Sequence, residues 1–321
     1  MIPFGKNCIH WGQNFDATMT TEGDVKKLHR ANPYIGLIFI LPWITGFLVF
    51  QLYPFVASLC YSFTNYNILN KAKFIGLKNY YRLFGIDPDF KKSIMVTLRY
   101  ACIAVPGKLV FALLIALILN MRVKHVNLYR TLYYLPSILG GSVAISALWK
   151  LMFMRDGMVN HVLGLLHIPS IDWLGSPRIA IFTISLLQIW QFGSSMVLFL
   201  AALKQIPVEY YESAHLDGAS KWRSFWSITL PMITPILFFN LIMQMINALQ
   251  NFTSAFVITN GGPLKSTYLI GLKLYEEGFN NFKMGYASAI SWVMFFIIMA
   301  FTALIFKSSD IWVYYQDGGD F

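Results

Sequence analysis

Carboxylates are scarce in this sequence. Fifteen Asp and Glu stand against 25 Lys and Arg, and none lies within the six long apolar stretches. That disfavours a carboxylate proton relay in an ion-coupled transporter of a small polar solute, although sodium held by backbone carbonyls stays open. Cysteine is equally sparse: Cys8, Cys60 and Cys102 have no close spacing, so neither a disulfide framework nor a zinc site follows. A Gly-x-x-x-x-Gly-Lys-Ser/Thr phosphate loop is missing, and the chain by itself is not expected to hydrolyse ATP. His125, His161, His167 and His215 are scattered over different loops, which argues against the catalytic cluster of an integral membrane transferase. The first 30 residues, including Lys6, Asp16, Glu22, Asp24, Lys26, Lys27 and Arg30, hold no apolar core of leader type. The first apolar stretch is therefore expected to be retained.

What is abundant is hydrophobicity. With 56% hydrophobic residues, 12% charged residues and a mean hydropathy of +0.55, the chain reads as a polytopic membrane protein. A helical crossing takes about 20 apolar residues, because its backbone must satisfy its own polar groups. Six stretches qualify: Tyr34 to Phe63, Tyr100 to Leu119, Leu132 to Phe153, Ile179 to Leu203, Met232 to Ile258, and Gly285 to Phe306. The expected fold is all-α, a bundle of six membrane-spanning helices. An amino-terminal extension would cover residues 1–33, the membrane domain 34–306 and a tail 307–321. The first stretch exceeds one crossing and contains Gln51 and Pro54, so it is expected to tilt or to extend beyond the membrane.

Polar residues inside the apolar stretches point to a path for solute. Asn240, Gln244, Asn247 and Asn251 are spaced by four, three and four, which puts them on one narrow helical face. Gln188, Gln191 and Ser195 share a face in the fourth stretch, with Trp190 nearby. Neutral amides donate to and accept from hydroxyl groups, and an aromatic ring stacks on the apolar side of a sugar. The competing reading is interhelical glue, worth about 0.6 kcal/mol per bond. Four amides on one face favour the path.

Between the fourth and fifth stretches lies Glu212-Ser213-Ala214-His215-Leu216-Asp217-Gly218-Ala219, followed by Ile228-Thr229-Leu230-Pro231. This segment resembles the cytoplasmic coupling loop of ATP-binding-cassette importers, with Ser213 in place of an alanine. Further segments resemble the carbohydrate branch of that family, the maltose and glycerol-phosphate type of permease. They are Tyr53-Pro54 with Tyr61-Ser62-Phe63, Phe74-Ile75-Gly76-Leu77-Lys78-Asn79-Tyr80, Arg130-Thr131-Leu132-Tyr133-Tyr134-Leu135-Pro136, and Asn260-Gly261-Gly262-Pro263 with Ser266-Thr267. The resemblance implies a coupling helix that docks on a separate ATPase, with Gly218 at the turn and Pro231 at the start of a second helix. It also implies a second membrane subunit, two ATPase subunits that hold ATP and Mg, an extracytoplasmic solute-binding protein and a sugar substrate. No cofactor on this chain and no nucleic-acid partner are expected.

Lys and Arg counts in the loops are nearly balanced and do not orient the chain. The coupling loop sets the orientation instead, with both termini cytoplasmic in a bacterial plasma membrane. Lys108 and Lys150 then fall in the outer half of the bilayer, where a central lysine costs about 2.5 to 3.5 kcal/mol. Lys150 is expected to snorkel outward. Lys108 is deeper and follows Pro106-Gly107, where the helix is expected to open. The outer loops carry Lys71, Lys73, Lys78, Lys91, Lys92 and Arg99. An acidic sugar, an acidic binding protein and lipid headgroups are all candidate partners for that charge.

Overall fold

A computed structural model describes residues 33–121 and 125–314, with side chains from Phe39 onward. Cys8, nearly all of the expected amino-terminal extension and the end of the tail lie outside these residues. Regular structure among the described residues is helical, apart from isolated bridges between Thr64 and Phe74 and between Asn67 and Asn70. The chain divides into two compact units, Met1–Ala57 and Ser58–Phe321.

In the first unit, α1 (Pro33–Phe47) passes through a π turn, Leu48–Leu52, into α2 (Tyr53–Ser62), which runs on into the second unit. Proline explains the π turn. Pro54 has no amide to close the ordinary helical bond and its ring crowds the preceding turn, so the ladder widens just before it. The same relation recurs with the π turn Phe225–Thr229 before Pro231.

The second unit contains α3 (Lys78–Tyr81), α4 (Pro88–Asn120), α5 (Val126–Leu139), α6 (Val143–Phe153), α7 (Met158–Leu165), α8 (Ala180–Trp190) and α9 (Gly193–Gln205). It continues with α10 (Val208–Leu216), α11 (Lys221–Ser224), α12 (Leu230–Leu249), α13 (Ile270–Tyr275) and α14 (Met284–Trp312). Four helices, Phe39–Ser62, Pro88–Asn120, Lys221–Leu249 and Met284–Trp312, are each long and apolar enough to cross a membrane. Six crossings are reached when two bent pairs count as one crossing each: Val126–Leu139 with Val143–Leu165, bent by 101°, and Ala180–Trp190 with Gly193–Gln205, bent by 47°.

The third and fourth apolar stretches are thus each broken into two helices. Gly140 and Gly141 break the former, with Gly141 at φ +77, and Ser142 restarts the helix by accepting from the Ala144 amide at 3.2 Å. Two further boundaries move. The second helix begins at Pro88, well before Tyr100, because Asp87 caps it with Oδ1 accepting from the Asp89 and Phe90 amides at 3.0 and 3.2 Å. The fifth ends at Leu249, ahead of Ile258.

Helix α4 is the central column, packed against α8, α9 and α12. Its buried face carries Ala101, Ala104, Ala112 and Ala116, small residues that let neighbouring backbones approach. The expected opening after Pro106-Gly107 does not occur: α4 is continuous there. Gly107 serves close approach instead, since a β-carbon on it would stand 2.6 Å from Ile189 Cδ1. The Phe74–Tyr80 segment also acquires a physical reason. Asn79 Nδ2 donates to the Ser62 and Thr64 carbonyls, both at 2.8 Å, and Tyr80 donates to Ser62 Oγ at 2.8 Å, clasping the loop to the end of α2.

Candidate functional site

The loop after α9 is built by local rules. Gly218 adopts φ +73, which a β-carbon disfavours, and ends α10. The Ala219 amide bonds back to the Ala214 carbonyl at 2.9 Å and the Gly218 amide to His215 at 3.0 Å, the paired pattern of a glycine helix stop. Ser220 then caps α11 by accepting from the Arg223 amide at 3.3 Å. Tyr211 and Thr229 bond through their hydroxyls at 2.9 Å, tying α10 to the π turn. Glu212, Ser213, Asp217 and Gly218 are exposed, whereas Ala214, Ala219, Leu230 and Pro231 are half-buried. The helix expected to begin at Pro231 begins at Lys221, and Pro231 lies just past its widened turn. Trp222 and Trp226, 70% and 51% exposed beside the loop, escaped the sequence reading.

Deeper in the bundle is a cavity of about 470 Å³, bordered by α4, α8, α9, α12 and the bend between α5 and α6. Lys108, Gln188, Gln191, Gln244, Asn247 and Asn251 all line it. Three of the four striped amides therefore meet there. Asn240 does not: it is 1% exposed and donates to the Ile236 carbonyl of its own helix at 3.0 Å. Ser195 is buried behind the wall, accepting from Gln244 Nε2 at 3.2 Å. Trp190 lies outside the lining, 5.8 Å from Trp149 between ring centres. Asn251 donates to the Tyr100 hydroxyl and accepts from Ser254 at 2.7 Å. Lys150 is exposed and apart from the cavity.

Sequence reasoning missed Ser137, Gly140, Ser194, Gln250 and Phe252 in the same lining. Gln250 extends the amide series, and the paired glycines inside an apolar run were the available sign of a broken helix. The two bends are braced against each other. Ser137 Oγ donates to the Gln191 carbonyl and accepts from the Ser194 amide, both at 3.0 Å. A β-carbon on Gly193 would come within 2.3 Å of the Tyr133 carbonyl, and one on Gly140 within 2.6 Å of Gln191 Oε1.

A second polar cluster lies where α4, α13 and α14 meet, at the end of α14 opposite Trp312. Lys273, 2% exposed, reaches Asp87 at 2.7 Å and Glu277 at 3.9 Å. Tyr286 donates to Asp87 at 2.6 Å, and Arg82 stands 4.6 Å from the centre of the Tyr286 ring. Burial pushes the Asp87 carboxyl up, but hydrogen bonds from Lys273 and Tyr286 and the lysine's charge outweigh it and hold the group below its ordinary value. Burial, together with the bond to Glu276, drives the Tyr268 phenol upward.

Comparison with known proteins gives four concordant findings. A family model described as binding-protein-dependent transport system inner membrane component matches residues 90–318. The probable ABC transporter permease protein YesP of Bacillus subtilis is 47% identical over 290 residues, covering 89% of this chain and 94% of that protein. The trehalose/maltose transport system permease protein MalF of Thermococcus litoralis is 33% identical over 284 residues, covering 88% and 95%. A bacterial alginate ABC transporter, solved in complex with alginate pentasaccharide-bound periplasmic protein, shares the fold with a TM-score of 0.75 at 23% identity, covering 89% of this chain and 96% of that one.

Proposed function

This chain belongs to the family of binding-protein-dependent transport system inner membrane components, and we propose on that footing that it forms the sugar path of a bacterial ATP-binding-cassette importer. One observation carries the reading: α12 leads directly from the Glu212–Pro231 loop to Gln244 and Asn247 in the cavity wall. A docked ATPase could thus act on the solute site through one helix. Three relatives are named as permeases for trehalose/maltose, lactose and multiple sugars, and amides and hydroxyls facing a common space suit a polyhydroxylated solute. The ion-coupled and transferase alternatives give way to this reading.

The partners proposed are a second membrane subunit, two ATPase subunits carrying ATP and Mg, and an extracytoplasmic binding protein. The neighbour solved with its periplasmic protein supports the last of these. An even number of crossings would return both termini to one side, and the Tyr314 amide bonds Thr234 Oγ1 at 2.8 Å, near the loop end of α12. We assign that side to the cytoplasm of a bacterial plasma membrane. In operation, the loaded binding protein docks outside and the ATPases close inside. The loop then moves as a rigid piece and the cavity alternates its access.

The test is a reconstituted complex with Glu212→Ala and Gly218→Val. Each variant is expected to lose at least about tenfold of binding-protein-stimulated ATP hydrolysis and of labelled oligosaccharide uptake. Wild-type stimulation in both would overturn the coupling assignment.

A further inference from the structure

Among the described residues two lysines are almost wholly buried, and their surroundings differ in one respect. Lys273 has two carboxylates within 4 Å. Lys108, 5% exposed, has no ion-pair partner among the described residues, and none of the residues lining its cavity is Asp or Glu. A buried ammonium in low dielectric calls for a counter-charge, because neutral dipoles replace its lost hydration only in part. Its neighbours in the lining are Gln188, Gln191, Gln244, Asn247 and Ser146, all uncharged. The cavity is thus a neutral, hydrogen-bonding enclosure with one fixed positive charge and no negative charge of its own.

We infer that Lys108 is a carboxylate subsite and that the cavity passes sugars bearing a single negative group, oligosaccharides with one uronate ring foremost. This rests on the sugar-path reading above and narrows it. A uronate ring presents one carboxylate beside several hydroxyls. The carboxylate would take the ammonium's hydrogen bonds while the hydroxyls exchange bonds with the surrounding amides. A single ammonium matches a monoanion. A dianionic phosphate would leave one charge uncompensated at this depth. The lysine lies on the continuous helix α4, whereas two of the helices bordering the cavity with it are bent.

The experiment uses the assembled complex in proteoliposomes, with a trisaccharide carrying one galacturonate ring and its carboxyl-reduced neutral counterpart as paired probes, and a sulfonated hexoside to separate carboxylate from sulfonate. Wild type, Lys108→Met and Lys108→Arg are compared by the ratio of charged to neutral uptake, with copurification of the other subunits as the check on assembly. The expected result is a ratio above about ten in wild type, a fall of at least about tenfold in Lys108→Met, and recovery of most of it in Lys108→Arg. A preference for the sulfonate over the uronate would overturn the carboxylate assignment. An unchanged ratio in Lys108→Met, or loss of the second membrane subunit from that variant, would overturn the subsite. The latter result would place the counter-charge on a partner. Uptake of neutral sugars alone by wild type would overturn the inference while leaving the sugar path intact. Uptake of neither sugar class, with another solute carried, would overturn both.

Discussion

The cluster around Lys273 and the cavity around Lys108 solve the same problem in opposite ways. At the first, a buried cation is fully answered from within the chain: Asp87 takes hydrogen bonds from Lys273, Tyr286 and two backbone amides, and so joins α4, α13 and α14 at one end. At the second, the cation is left facing open space with amides around it. One region is closed by charge. The other is walled by shape, through Gly193 against Tyr133, Gly140 against Gln191 and the Ser137 brace. A buried charge that is satisfied internally contributes to a fixed structure, whereas one left open leaves a place for a counter-charge from outside the chain.

The sharpest way to break this contrast is to remove one partner at each place. Asp87→Ala strands a buried lysine and is expected to destabilise the purified protein by about 3 kcal/mol. Lys108→Met removes an unanswered charge and should melt no lower than wild type. Thermal denaturation in detergent measures both. Equal losses at the two sites would abolish the distinction.

Next in size is the wall. Gly193→Ala should cost about 1 to 3 kcal/mol, because the added carbon meets backbone that cannot yield. Gly164→Ala, with nothing within 4 Å, should change stability little, and the same melts compare the pair.

Acid sharpens the contrast at one site only. The Asp87 carboxyl is held below its ordinary value, so its contribution is present above the unfolded value, about 3.9, and is lost as pH falls through the folded one. The stability gap between wild type and Asp87→Asn should therefore be constant from neutral pH to about pH 5 and shrink below about pH 4. A gap that closes near neutrality would contradict the geometry of the cluster.

The smallest effect separates two amides of one stripe. Asn240→Leu removes a bond within its own helix, about 0.6 kcal/mol, and should leave uptake unchanged, while Gln244→Leu should reduce uptake several-fold. Labelled-sugar uptake in vesicles distinguishes them.

How much of this was legible in the sequence follows from the range of the interactions. The loop was readable because its determinants are local: Gly218 sets the turn, and the stop and cap bonds span only a few residues. The stripe was readable as a face, yet periodicity does not say how far along that face the neighbours stand apart. They do so from Gln244 onward and not at Asn240. The two bends escaped because hydropathy is blind to a pair of glycines in an apolar run. The Asp87 cluster escaped because its members meet only in the folded chain, with Tyr286 standing 199 residues from Asp87.

The Ser137 brace has a mechanical consequence. Helix α9 is a rod of 13 residues, about 20 Å long, with the Gln191 joint at one end and the start of α10 three residues beyond the other. One hydroxyl fastens that joint to α5. A turn of the rod imposed at its Gln205 end must then be felt at both bends together, as a crank drives two linked arms.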